Sequence, residues 1–281
     1  MKILILGGTR YMGRAAARRL STAGHEVISV SRTPIEGGTI RHRVCDRKDG
    51  AALDALVREE EPSAILDMVC FDAGDGAGMA RLFESGALSG LRHYLMVSTF
   101  FPYNYFDARE APFAGDPTAI ADGYTRRKVE AEAIIKAGAL FGRSSILRLP
   151  FVFSHDDYTG RFQRLCEMVR DGRVAATGTS SWRTSMIAME DAAGALANIL
   201  QGPPLGYADI ANAGCLTAHE IAAVVAAALD CSCEFNGADD PGTIYGLSRD
   251  LCLDSAKSPK LRPLAEALAD EAKQWSTQHG D

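Results

Sequence analysis

Apolar and polar positions fall into short blocks along the first half of the chain. "KILIL" is an apolar run ending in glycine and predicts a strand, and "MGRAAARRLSTAG", rich in helix formers and stopping at Gly24, predicts the helix after it. "HEVISV" predicts a second strand through its β-branched residues, and "IRHRV" a weaker third. "DGAALDALVREEEP" has helical spacing and a proline stop, while "SAILDMV" and "HYLMVST" read as buried strands. "DGYTRRKVEAEAIIKAGALFG" reads as one long helix ending in glycine, followed by the strand "SSILRL". Strands and helices alternating at these lengths predict an α/β fold, a doubly wound parallel sheet with helices on both faces.

After Pro150 the pattern loosens. "SHDDYTG" is a polar loop, "RFQRLCEMVRDG" a helix, "RTSMIAM" a strand candidate, and "EDAAGALANILQG" a helix stopped by Gly202 and Pro203. "YADIAN" is a further short strand, and "TAHEIAAVVAAALD" opens with a capping box made by Thr217 and Glu220. "SPKLRPLAEALADEAKQWSTQ" predicts a closing helix. The division expected is residues 1–150 as one domain and 151–281 as a smaller part, with segments near 183–212 packing back on the sheet.

Composition narrows the classes. The chain has 281 residues, 47% hydrophobic and 23% charged, enough for a substantial core. A net charge of -6 argues against a general nucleic-acid or membrane surface. No apolar run reaches the roughly 18–20 residues that span a bilayer, and the apolar stretch of "MKILILGG" is too short for a signal peptide. Seven scattered cysteines, with Cys231 and Cys233 the closest pair, predict idle thiols of a cytoplasmic protein rather than a disulfide set or zinc site. No metal is expected.

The first turn carries chemistry. "GGTRYMG" follows a strand and opens a helix, the context in which backbone N–H groups and a helix N-terminus receive a dinucleotide pyrophosphate in a Rossmann fold. Gly7, Thr9, Arg10, Tyr11, Met12 and Gly13 are the candidates to surround it, although Arg10 stands where a middle glycine is usual. A site preferring NAD ends its second strand in an acid that accepts from the ribose 2′-hydroxyl. Here "SVSRT" offers Arg32 instead, and Arg10 reaches over the same ribose. Two guanidiniums gripping a 2′-phosphate point to NADP(H); two solvated surface arginines are the plainer alternative. Asp46, after the third strand, is a candidate for the adenine amino group or simply an exposed carboxylate.

Tyr124 and Lys128 stand four residues apart on the predicted long helix, hence on one face. An ammonium near a phenol favours the phenolate, which suits Tyr124 to general acid/base work. With these motifs in place, the chain resembles an extended short-chain dehydrogenase/reductase of the NAD-dependent epimerase/dehydratase family. "GGTRYMG" resembles the GGTRFIG variant of one branch, which includes chloroplast stem-loop-binding proteins, and "MVSTFFPY" resembles the strand bearing the catalytic Ser/Thr. "YTRRK", "LRLPFVFSH" and "RTSMIAMEDAA" match further family motifs.

The resemblance implies Thr99, Tyr124 and Lys128 as catalytic residues, with Lys128 also holding the nicotinamide ribose. It implies Tyr103 and Arg183 as substrate contacts, Arg183 being placed as the family's diphosphate-binding arginine. Arg161, with His155 and Asp156, lies in the loop where a substrate should enter. Departures are Ser154 and His155 in place of Gly-Pro, and Cys70, Phe71 and Asp72 in place of an Asn-Ala-Ala loop. The cluster Phe100, Phe101, Tyr103, Tyr105 and Phe106 is either a substrate wall or core packing. The function implied is an NADP(H)-dependent oxidoreductase, epimerase or dehydratase acting at a carbinol or carbonyl carbon of a sugar nucleotide or other small hydroxylated molecule. The alternative is a non-catalytic nucleotide-sensing or RNA-binding protein on the same fold. A homodimer through the Tyr–Lys helix and the helix near "GMARLFESGALSG" is also expected.

Overall fold

The computed structural model describes residues 1–35, 37–105, 117–172, 182–232, 249–253 and 260–279; Phe106 and Cys233 lie outside them. Two compact units divide the chain: Met1–Arg148 with Ala193–Asp209, and Leu149–Ala192 with Ile210–Asp281.

In the first unit the elements run β1 (Lys2–Leu6), α1 (Tyr11–Thr22), β2 (Glu26–Ser31), β3 (Arg41–Val44), α2 (Gly50–Glu60), β4 (Ala64–Asp67), α3 (Ala73–Glu84), β5 (His93–Thr99), α4 (Gly123–Ala137) and β6 (Ser144–Leu149). β7 (Phe151–Phe153), α5 (Arg161–Arg170), β8 (Arg183–Thr184) and β9 (Met186–Ala188) follow in the second unit. Then α6 (Met189–Gln201) leads to β10 (Gly206–Asp209) of the first unit, and β11 (Leu216–Thr217), α7 (Ala218–Ala228) and α8 (Leu264–His279) complete the second.

Seven strands form one sheet in the order β10-β6-β5-β4-β1-β2-β3. β1 pairs in parallel with β2 and β4, β4 with β5, β2 with β3, and β10 with β6. The apolar runs become strands because helices cover both faces, so successive residues are buried regardless of side: Ile3, Leu4, Ile5 and Leu6 are all within 1% of complete burial. Leu4, Ile28, Ile65, Tyr94 and Ile146 from the strands meet Leu53, Met79, Leu82 and Ile135 from the helices in one core. Aspartates start α2, α3 and α4: Asp49 accepts from the Ala52 amide, Asp72 from that of Asp75, and Asp122 from those of Tyr124 and Thr125. α4 is shorter than its apolar pattern predicts. Gly138 turns extended, at φ -94° and ψ 166°, and Ala139–Arg143 continue as a 3₁₀ turn.

In the second unit, β7 pairs in parallel with β9 and β8 antiparallel with β11. Its core joins Phe153, Phe162 and Leu165 to Ile221, Val225, Leu268 and Trp275. The capping box at the start of α7 forms as the spacing predicts, with Thr217 accepting from the Glu220 amide and Glu220 accepting from that of Thr217. The expectation of idle thiols is corrected at one place: Cys215 and Cys252 are disulfide-bonded, Cα to Cα 5.5 Å. Their meeting is a tertiary effect. Thr184 pairs with Leu216 in β11 and bridges to Leu251, so β8 gathers the two segments. Cys70 and Cys166 are buried thiols, both pushed up to about 12 by burial. Among the described residues, no helix is long and apolar enough to cross a membrane.

Candidate active site

The glycine loop joins β1 to α1. Gly7 sits at φ +84°, where a side chain is strained, and a Cβ on Gly13 would lie 2.3 Å from the Gly7 carbonyl oxygen. Gly13 is therefore what lets the helix close onto the loop. The place of the absent middle glycine has no such need: Arg10 is extended at φ -130° and ψ 151°, a conformation open to any residue. The non-glycine residue of the loop in the left-handed region is instead Tyr11, at φ 45°. Arg10 makes no side-chain cap, and α1 has no acid in its first turn, whereas α2, α3 and α4 are each capped by an aspartate. A loop without side chains at Gly7 and Gly13, leading into the N-terminus of a helix with no side-chain cap, fits a dinucleotide pyrophosphate. Thr9 is half-buried and Met12 is buried beneath the loop. Arg10 and Arg32 are both exposed. Asp46 is exposed too, and its carboxylate accepts from the Lys48 amide at 3.0 Å.

Beyond β1, the C-terminal end of β5 and the helix α4 carry the catalytic candidates. Thr99 ends β5, is buried, and accepts at Oγ1 from the Phe101 amide at 3.4 Å. α4 carries Lys128 to the same strand. Its Nζ donates to the Val97 carbonyl at 2.9 Å, two residues before Thr99, and lies 4.8 Å from the centroid of the Phe71 ring. Lys128 is 2% exposed, and burial lowers its pKa although Cys70, Asp67 and Glu132 pull it upward. Tyr124, in the first turn of α4, is 42% exposed. One helix thus holds the amine at depth and the phenol at the surface.

A second layer lies beneath. Glu132, one further turn along α4, accepts from Ser98 Oγ and from Arg148 Nη2 at 2.6 Å, with Arg148 Nε at 3.3 Å. Arg148 also donates to the Tyr103 hydroxyl at 3.1 Å, and that hydroxyl donates to the Asp209 carboxylate at 3.0 Å. Burial pushes the Tyr103 phenol up to about 12, so it stays a neutral strut held by protein groups on two sides. Hydrophobic periodicity passes over Glu132 and Arg148. Their signals are an arginine inside the apolar run "ILRL" and an acid in register with Tyr124 and Lys128 on one helix face.

Another buried cluster fixes the loop after β4. Arg47 Nη1 donates to both oxygens of Asp67 at 2.7 Å, and the Tyr94 hydroxyl donates to Asp67 at 2.9 Å. Asp67 accepts in turn from the Val69 amide at 3.0 Å, and Asp75 accepts from the Phe71 amide at 2.8 Å. Desolvation opposes the Arg47 charge, but Asp67, Tyr94, Cys70 and Asp75 together more than offset it, so its pKa is raised. A carboxylate closing the apolar strand "AILD" is the sequence trace of this cluster.

Arg161 and Arg183 belong to the second unit. Arg161 is exposed, donates to Thr159 Oγ1 at 3.0 Å, and rims a cavity of about 20 Å³ lined by Phe151, Phe153, Phe162 and Leu165. That volume is room for roughly one water. Arg183 is held by protein acceptors, the Cys215 carbonyl at 2.8 Å and the Glu220 carboxylate at 3.0 Å. His155 Nδ1 lies 2.7 Å from the Glu271 carboxylate, and its amide donates to the same oxygen. Asp156 accepts from Ser154 Oγ at 2.7 Å.

Known proteins share this fold. The Bordetella bronchiseptica enzyme WbmH, solved in complex with NAD+, superposes with a TM-score of 0.75 at 15% identity, covering 100% of this chain and 99% of that one. UDP-glucose 4-epimerase from Thermotoga maritima, solved with UDP-glucose, gives a TM-score of 0.75 at 17% identity over 100% of both chains. These likenesses establish the fold. By sequence, the chain is 32% identical over 104 residues to 2'-dehydrokanamycin reductase from Streptomyces kanamyceticus, a match spanning 35% of this chain and 28% of that relative. A model of the NAD-dependent epimerase/dehydratase family matches residues 3–214, and the chain belongs to that family.

Proposed function

We propose that the chain is an NADP(H)-dependent oxidoreductase or epimerase that works at a carbinol or carbonyl carbon of a small hydroxylated substrate. The observation that carries this reading is the Lys128 amine, buried against the strand that ends in Thr99 and carried by the helix that presents Tyr124. Bound, the dinucleotide would supply or accept the hydride. Tyr124 gives or takes the proton at the carbinol oxygen, and Thr99 Oγ1 donates a hydrogen bond to that oxygen. Lys128 holds the nicotinamide ribose and lowers the cost of the phenolate. The loop from Gly7 to Gly13 takes the pyrophosphate, and Asp46 the adenine amine. Arg32, exposed at the end of β2 where an acid would select NAD, pairs with Arg10 on the 2′-phosphate. Ser98, Glu132, Arg148 and Tyr103 keep β5, α4 and β6 in register.

Between a sugar nucleotide and a smaller hydroxylated substrate, Arg183 favours the smaller. A diphosphate would have to displace the Glu220 carboxylate from its guanidinium and then face that carboxylate as a like charge. The relative named for reducing 2'-dehydrokanamycin supports reduction over epimerisation. Arg161 is the candidate substrate contact on the second unit. The test is a panel of non-phosphorylated ketones and sugar nucleotides offered with NADPH and NADH, followed at the nicotinamide absorbance. Turnover of a non-nucleotide ketone with NADPH is expected; sugar-nucleotide turnover with tightly held NAD would overturn the reading.

A further inference from the structure

Phe71 occupies the loop between β4 and α3, where the chain departs from its family's small residues, and it is 45% exposed. A half-exposed ring adds little to a core, so its placement calls for another cause. The loop beneath it is pinned. Asp67 holds the Val69 amide and is itself gripped by Arg47 and Tyr94, while Asp75 holds the amide of Phe71. The ring is thereby presented to the Lys128 amine, with Nζ 4.8 Å from its centroid. Among the described residues, that amine contacts the Val97 carbonyl and the Phe71 ring, two electron-rich surfaces.

The charged and titratable groups around Lys128 are Cys70 and Asp67 at the end of β4, Glu132 on α4, and Arg47 before α2. Glu132 is occupied by Arg148 and Ser98, and Asp67 by Arg47 and Tyr94. Neither carboxylate hydrogen-bonds the amine. The lysine is 2% exposed, and its ammonium lies under the half-exposed Phe71 ring.

We propose that Phe71 is a positioning residue of the site: its ring caps the Lys128 ammonium in the free protein and gives up that face to a dinucleotide ribose. The second half rests on the assignment of Lys128 to the cofactor. The first half stands without it. Because the ring and the ribose compete for one face, removing the ring exposes the amine and tightens cofactor binding.

The experiment is acetylation of the free protein at about pH 9, where amines begin to deprotonate, with each lysine read by peptide mass spectrometry. Wild type, Phe71→Ala and Phe71→Trp are compared, with Lys2 as the internal reference. Labelling of Lys128 in the Ala variant is expected to rise by about tenfold, the factor carried by a desolvated cation–aromatic contact. The Trp variant, which keeps an aromatic face, stays near wild type. A Lys128 as protected in Phe71→Ala as in wild type overturns the cap. NADPH titration follows by fluorescence, with binding by the Ala variant expected to be a few-fold tighter; weaker binding overturns the competition. Exposed Lys128 in the Ala variant, with NADPH bound by neither protein, supports the cap and removes the cofactor assignment.

Discussion

Arg148 and Glu132 face each other as a two-point ion pair, each side chain 1% exposed. Arg148 comes from β6 and Glu132 from α4, and Glu132 also receives Ser98 from β5. Three elements of the site are therefore joined through one carboxylate. Desolvation opposes both charges, and the pair persists because geometry satisfies it: the guanidinium also donates to Tyr103, and its face stacks 5.1 Å from the Tyr207 ring.

Breaking this pair on one side leaves a buried charge without its partner. Arg148→Met is expected to cost about 3–5 kcal/mol of stability, read as a lower denaturation midpoint. Adding Glu132→Leu should restore most of that loss, because the orphaned carboxylate goes with it. A single variant as stable as wild type would show that the pair does not hold the elements together.

The disulfide gives a second stability prediction. Cys215 and Cys252 close a loop of 37 residues, for which loop-closure entropy predicts about 3–4 kcal/mol. Cys252→Ser should lower the melting temperature, and a dithiol reductant should lower that of wild type but not of the variant. Mass spectrometry of the alkylated, unreduced protein checks the pairing directly: two thiols should resist alkylation until reduction.

The strands and the glycine loop are legible in the sequence because their causes are local. A buried parallel strand is an apolar run, and the spacing of Thr217 and Glu220 announces the capping box that opens α7. The short strand Phe151–Phe153 is not legible, since its partner Met186–Ala188 is over thirty residues away. The same holds for the partners of charged groups. Arg183 is conspicuous as a cation, but Glu220 and the Cys215 carbonyl reach it through the β8–β11 pairing. Cys215 and Cys252 likewise meet only because Thr184 stands between Leu216 and Leu251. Tyr124 and Lys128 share a helix face by spacing alone, yet Lys128 is buried with its amine against Phe71 and Val97 while Tyr124 is exposed, a difference that spacing does not encode.

Cofactor choice rests on Arg32. Losing one charged phosphate contact should cost about 1.5–3 kcal/mol, roughly ten- to a hundredfold in affinity, so Arg32→Ala should lose NADPH affinity while NADH binding changes little. Arg10→Gly should show a smaller loss of the same kind. Calorimetric titration of both cofactors decides it, and a wild type that prefers NADH would reverse the assignment.

Lys128 links stability to pH. Burial lowers its folded pKa below the ordinary 10.5. Between those two values the unfolded chain binds more protons than the folded one, so this group makes stability rise with pH across that window. Lys128→Met should abolish that rise while leaving the fold intact, and should weaken both cofactor binding and turnover. Denaturation midpoints measured from neutral pH upward, for both proteins, provide the check; parallel curves would mean that the amine titrates as if solvated.

The mechanism itself rests on Tyr124. Its ring is 42% exposed in the first turn of α4, so Tyr124→Phe removes a hydroxyl without opening the core. Fold and cofactor binding should survive. Turnover should fall by about 10²–10⁴, the usual worth of a placed general acid or base, once a ketone substrate is identified from the panel. Thr99→Ala should cost less, because the reacting oxygen keeps its bond to the phenol. If Tyr124 served only as a packed helix residue, phenylalanine would be harmless and Thr99→Ala would be the more damaging change. A Tyr124→Phe protein with wild-type turnover would therefore remove the proton-transfer role and leave a dinucleotide-binding fold whose acid has to be sought elsewhere.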